Sequence, residues 1–166
     1  MEKITVKDIV TAVNGTLLCG DENHPVEHLS IDSRTMKGND LFVPLIGEKV
    51  DAHRFIEQAF GAGAVAVLTS EHDHAEDADH AWIRVADTKK ALQEIGRYYR
   101  SHLSLPLIGI TGSVGKTTTR EMVAAALSAK YRVYKTPGNS NSQVGVPITL
   151  SEITSADEIG VLELGM

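Results

Sequence analysis

Leu107-Ile108-Gly109-Ile110-Thr111-Gly112-Ser113-Val114-Gly115-Lys116-Thr117-Thr118-Thr119 decides how this chain folds. Its first four residues are a continuous apolar strand, a glycine loop follows, and a helical pattern runs from Thr117 to Ala129. Strand, Gly-Lys-Thr and helix in that order form a phosphate-binding loop, because glycines let backbone N–H groups converge on phosphate oxygens. Lys116 offers a point charge to the β- and γ-phosphates, Thr117 offers its hydroxyl to Mg²⁺, and the helix N-terminus adds its positive end. The candidate nucleotide-binding set is therefore Gly112, Ser113, Val114, Gly115, Lys116, Thr117 and Thr118, with a nucleoside polyphosphate and Mg²⁺ as the ligands it suits. Ile110 stands where the general pattern has a further glycine, so this is a shortened form of the loop.

Downstream, Arg132-Val133-Tyr134 and Ile159-Gly160-Val161-Leu162-Glu163-Leu164 read as two more strands. They lack polar alternation and are separated by helical stretches, which is the pattern of a parallel sheet covered on both faces. Glu163 is the lone carboxylate of the third strand. It lies near the C-terminal end, the edge where ligands of such sheets bind, although a strand-end charge reaching solvent would look the same in sequence. Between the second and third strands, Thr136 to Pro147 reads as a polar loop whose amides and hydroxyls are free to hold a ligand or to form an ordinary turn. The chain stops just after the third strand and reads as cut rather than finished. That strand is expected at the exposed edge of the sheet, with unpaired backbone groups.

Upstream, residues 1–86 read as a small α/β domain, and residues 87–166 as the first part of a nucleotide-binding parallel-sheet domain. Thr5 caps a helix carrying Val6, Ile9, Val10 and Val13, with Gly15 as its left-handed stop. Short strands follow around Leu17, Leu29, Leu41, Val65 and Ile83, with a helix from Phe55 to Gly61. Asp87-Thr88 opens a long helix reaching about His102.

Composition narrows the function classes. There are 16 Lys and Arg against 22 Asp and Glu, a net charge of −6, so no basic surface for nucleic acid is expected. Cys19 is the single cysteine, which excludes an internal disulfide and suits a reducing compartment. No apolar run is long enough to span a membrane and no signal-peptide pattern begins the chain, so a cytoplasmic location is expected. Glu71-His72-Asp73-His74-Ala75-Glu76-Asp77-Ala78-Asp79-His80 crowds histidines and carboxylates together, but it lacks metal-site spacing and apolar anchors and reads as a solvated acidic loop.

The shortened loop followed by three threonines, together with Glu163-Leu164-Gly165-Met166, resembles the Mur ligase family of ATP-dependent amide-forming enzymes. Thr136-Pro137-Gly138-Asn139-Ser140-Asn141-Ser142 and Gly145-Val146-Pro147 are similar to a stretch of the member that adds D-alanyl-D-alanine, with Ser142 in place of a usual Asn. Ile31-Asp32-Ser33-Arg34, Gly38-Asn39-Asp40-Leu41-Phe42 and Asp51-Ala52-His53-Arg54-Phe55 resemble that family's uridine-nucleotide-binding domain.

The resemblance implies that Lys116 and Glu163 are catalytic and that Thr117 and Glu163 hold the metal. It further implies that Ser33, Arg34, Asn139 and Asn141 contact substrate. The reaction implied is ATP-driven formation of an acyl phosphate on UDP-N-acetylmuramoyl-tripeptide, followed by attack of the D-alanyl-D-alanine amine. The full-length enzyme would be a monomer, and the 166 residues alone are expected not to complete the ligation. A ligase of the same family that adds the third amino acid, and a non-catalytic nucleotide-binding module, remain open as alternatives.

Overall fold

A computed structural model describes residues 1–75 and 77–165. Glu76 of the acidic segment and Met166, the last letter of the Glu-Leu-Gly-Met stretch, lie outside the described residues. The chain forms two compact units, Met1–Ile95 and Gly96–Met166. The change of sequence pattern sets the join at 86/87, whereas the compact units divide inside a helix.

The first unit contains α1 (Val6–Val13), β1 (Thr16–Cys19), β2 (His28–Ser30), β3 (Asp40–Phe42), α2 (Ile56–Gly61), β4 (Ala64–Thr69), β5 (Ala81–Arg84) and the start of α3 (Thr88–His102). Its sheet has the order β1-β5-β4-β3-β2; β1 is antiparallel to β5 and the other pairs are parallel. β4 lies inside the sheet and buries all its residues but Val65 to a high degree, which is why its sequence shows no alternation. Phe42, Ile56, Ala59, Ala64, Val67 and Trp82 form the core on one face of this sheet. α1 starts with a reciprocal capping box: Asp8 N–H donates to Thr5 Oγ1, and Thr5 N–H donates to Asp8 Oδ2 at 2.9 Å. The helix ends one residue earlier than the glycine expectation. Asn14, not Gly15, takes the left-handed conformation (φ 49°), a role Asn tolerates better than other non-glycine residues.

The second unit contains the end of α3, β6 (Leu107–Ile110), α4 (Lys116–Ser128), β7 (Val133–Lys135), α5 (Gly145–Glu152) and β8 (Ile159–Glu163). All three strands are parallel, in the order β6-β8-β7. The third strand is thus the middle of the sheet and not its edge. β8 pairs on both sides and is buried at all five positions, while Ile108 and Gly109 of β6 are exposed. Its sequence allows this position. Gly160 sits opposite Leu107, where an added Cβ would come within 2.4 Å of a Leu107 methyl. Ala124, Ile159 and Val161 form the local core under α4. α5 was hidden in the polar loop because its first turn carries Gly145 and Pro147, residues that read as turn formers but are tolerated at a helix start.

Candidate functional site

The glycine loop joins the C-terminal end of β6 to the N-terminus of α4. Gly112 (φ 142°) and Gly115 (φ 77°) both take conformations that side-chain-bearing residues avoid, so these two positions require glycine. A Cβ added at Gly115 would meet nothing within 4 Å, so this side of the loop is open. Gly115 is the N-cap of α4, and no side chain caps the helix, which leaves its first N–H groups available to an anion. Lys116 begins the helix and donates from Nζ to the Gly112 carbonyl at 2.8 Å, so the lysine lies back along its own loop. Ser113, Val114 and Thr118 are exposed beside it, Val114 at 87%.

Glu163, at the end of β8 and only 2% exposed, gathers donors from α4 and from the loop after β7. Thr117 Oγ1 donates to Oε2 at 3.0 Å, Arg120 Nη1 donates to the same oxygen at 3.1 Å, and Asn141 Nδ2 donates to Oε1 at 2.8 Å. The Glu163 backbone N–H donates to Thr136 Oγ1 at 3.0 Å. The carboxylate therefore faces the loop, as its strand position suggests, and not bulk solvent. Thr117 Oγ1 and Glu163 are hard oxygen donors side by side at the mouth of the phosphate loop. That is a donor set suited to Mg²⁺, which favours one or two protein oxygens plus nucleotide phosphates.

Of the two asparagines singled out in the polar loop, Asn141 joins this cluster. Its carbonyl also accepts from Gly165 N–H at 2.7 Å. Asn139 is exposed on the preceding turn, where its carbonyl accepts from Asn141 N–H at 2.8 Å. Ser142 takes a structural part: its Oγ accepts from the Gly145 N–H at 3.0 Å and starts α5. Arg120 is the residue the sequence reading missed. It is 4% exposed, donates from Nη1 to the Gly138 carbonyl at 2.7 Å as well as to Glu163, and donates from Nη2 to Glu121 at 2.7 Å. Glu121 is in turn paired with Lys135, and these two cations hold its carboxyl below the usual range. The available signal was spacing, since Arg120 lies three residues after Thr117 and so on the same face of α4.

A second candidate site lies within the first unit. A groove of about 550 Å³ opens at the C-terminal ends of β2 and β3, lined among others by Ile31, Ser33, Arg34, Phe42 and Phe55. Phe42 and Phe55 supply an apolar wall, and Ser33, buried in a single 3-10 turn over Ser33–Thr35, sits at the strand ends. Asp32 caps this turn and also grips Arg34 with both oxygens, at 2.9 Å to Nε and 2.6 Å to Nη2. Arg34 hydrogen bonding accordingly holds the Asp32 carboxyl down at about 2. The guanidinium is exposed on the groove rim and already paired.

Most described residues of the acidic segment after β4 are exposed and none is buried, and its end is tied down around Asp77 and His80. Asp77 Oδ1 accepts from the backbone N–H groups of Asp79 and His80, Trp82 Nε1 donates to Asp77 Oδ2 at 3.1 Å, and His80 stacks on Phe60 at 3.9 Å. Among the described residues, the histidine–carboxylate group that does converge is Asp51, His53 and Glu71. His53 is buried, and its Nε2 accepts the Ser70 N–H at 3.1 Å, so Nδ1 carries the hydrogen given to Asp51 at 2.6 Å. Burial pushes Asp51 up, but the His53 and Glu71 hydrogen bonds outweigh it and hold the carboxyl low. The nitrogen facing the carboxylates thus offers no lone pair to a metal. The other nitrogen, which accepts the Ser70 N–H, also lies 3.3 Å from Ser70 Oγ. This cluster fastens the turn at Ala52–Phe55 to the exit of β4.

Comparison with known proteins agrees with this geometry. The model of the Mur ligase family catalytic domain matches residues 25–100, and that of the Mur ligase middle domain matches residues 110–166. The chain belongs to the Mur ligase family. It is 44% identical over 167 residues to the UDP-N-acetylmuramoyl-tripeptide–D-alanyl-D-alanine ligase of Bacillus subtilis, covering 100% of this chain and 36% of that protein. The crystal structure of MurF from Acinetobacter baumannii superposes with a TM-score of 0.86 at 34% identity, covering 98% of this chain and 36% of that one. MurF from Thermotoga maritima in complex with ADP superposes with a TM-score of 0.71 at 31% identity, covering 83% and 32%. The chain thus spans little more than a third of the relatives it matches.

Proposed function

We propose that this chain supplies the nucleotide-binding and substrate-binding elements of an ATP-dependent ligase that joins D-alanyl-D-alanine to UDP-N-acetylmuramoyl-tripeptide. The observation that carries the proposal is Thr117 Oγ1 set 3.0 Å from the buried Glu163 carboxylate, at the mouth of a loop whose Gly112 and Gly115 both have positive φ. The relatives whose names specify that reaction support the choice of substrates. In this reading the backbone N–H groups of residues 112–118 hold the nucleotide phosphates, and Lys116 turns from Gly112 to the β- and γ-oxygens. Thr117 and Glu163 hold Mg²⁺, which when bound neutralises phosphate charge during carboxylate activation. Asn141 fixes the Glu163 side chain from the opposite side, and Asn139 stands at the outer face of the same turn, available to a ligand. Residues 1–86 act as the uridine-nucleotide domain through Ser33 and Arg34, and residues 87–166 as part of the ATP domain. The full-length enzyme works in the cytoplasm as a monomer.

Calorimetric titration of this chain with ADP and Mg²⁺ tests the loop. Lys116→Ala is expected to weaken ADP binding by about 100-fold, the loss of about 3 kcal/mol of charge-assisted contact. Its melting temperature should stay unchanged, since the lysine supports no core. Unaltered ADP affinity in the folded variant would sink the assignment.

A further inference from the structure

Arg120 carries a consequence for how the metal enters. Among the described residues, it is the charged partner of Glu163, so within the pair the carboxylate is already neutralised. Arg120 does not depend on Glu163 for its position. One hydrogen of Nη1 goes to the Gly138 carbonyl at 2.7 Å, and Nε and Nη2 both reach Glu121 Oε1, at 3.2 and 2.7 Å. The guanidinium is therefore pinned by α4 and by the loop after β7, and stays in place if Glu163 changes partners. Lys116 adds a second positive charge on the loop, and Glu121 is shared with Lys135. Two cations against one carboxylate leave the mouth of the loop positive. A bare divalent ion arriving between Thr117 and Glu163 would meet a fixed guanidinium bonded to the very oxygen it needs, in a region where charges interact strongly.

We propose that Arg120 is a positioning residue that occupies Glu163 until nucleotide arrives and so excludes free divalent cations. The cation enters only together with a polyphosphate anion, which cancels the local positive charge, and Glu163 Oε2 then passes from Arg120 to the ion. This inference rests on the nucleotide-site reading above and adds to it an order of loading.

Manganese uptake by the whole 166-residue chain, followed by electron paramagnetic resonance, tests it. With ADP saturating the protein, Mn²⁺ should bind in a way that Glu163→Gln weakens; without nucleotide, the apparent affinity should be at least about 10-fold lower. Arg120→Gln should close that gap by tightening nucleotide-free Mn²⁺ binding about 10-fold. Arg120→Lys, which keeps the charge but not the fork, should leave the gap in place. Circular dichroism reports whether each variant folds. A tight nucleotide-free Mn²⁺ site in the native chain that disappears on Glu163→Gln overturns the proposal without needing any Arg120 variant. So does a folded Arg120→Gln whose dependence on ADP is unchanged. If ADP binds neither with nor without Mn²⁺, the nucleotide-site reading itself has failed.

Discussion

Asp32 and Arg34 close on each other so tightly that the pair has its own signature in acid. The Arg34 guanidinium holds the Asp32 carboxyl down at about 2, against an ordinary value near 4. A carboxyl depressed on folding contributes stability that is present above its unfolded value and is lost as pH falls from about 4 through 2. The pair is exposed, so its contribution is small. Carboxyl-carbon NMR should find the Asp32 midpoint near 2, rising toward but staying below the ordinary value in Arg34→Ala, where the residue-34 backbone N–H still donates to Oδ1; an ordinary midpoint in the native chain would mean the bidentate pair is absent in solution. Arg34 was legible in the sequence as a candidate substrate contact, through the family resemblance; the Asp32 carboxylate that already grips it is seen in the structure. Glu163 was legible too, through its lone charge in an apolar strand. Arg120 was not, because its contact with Glu163 spans 43 residues and depends on which face of α4 turns toward β8.

Strands and helices were easier to find than their neighbours. β6, α4 and α3 follow from apolar runs, Gly-Lys-Thr and an Asp cap whose Oδ1 accepts the Lys90 N–H at 3.0 Å. The central position of β8 did not, since strand order is fixed by crossover connections and close packing rather than by any local pattern. α5 shows why its segment is needed where it lies. Gly96 of α3 backs directly onto Pro147, and a Cβ there would stand 2.9 Å from both the Cα and Cβ of Pro147. Ala normally improves a helix interior by about 1 kcal/mol over Gly. Here overpacking against a rigid proline, at about 1–3 kcal/mol, should win. Gly96→Ala is expected to lower stability by about 1 kcal/mol in urea unfolding, and a stabilised variant would mean that α3 and α5 are not in contact.

Across the whole molecule, the two candidate sites belong to separate compact units and should respond to different nucleotides. Amide NMR of the intact chain should show UDP shifting residues 31–34 and neighbours of Phe42 and Phe55. ADP with Mg²⁺ should shift residues 111–120, 136–141 and 163. Equal displacement of both sets by either nucleotide would refute the division of labour. The change of pattern after residue 86 and the glycine loop made two units readable, whereas the groove wall of Phe42 and Phe55 joins residues from separate segments and could not be inferred from spacing.

The Lys116 contact with the Gly112 carbonyl bears on the thermodynamics of filling the site. A lysine waving in water surrenders up to about 2 kcal/mol of side-chain entropy when a ligand captures it. Lys116 gives up that freedom when the loop folds, so an incoming phosphate exchanges one oxygen acceptor for another and orders nothing new at this residue. The free energy gained there is the difference between a neutral carbonyl and an anionic oxygen as hydrogen-bond acceptor, which makes this contact enthalpic in character and sensitive to the charge on the phosphate chain.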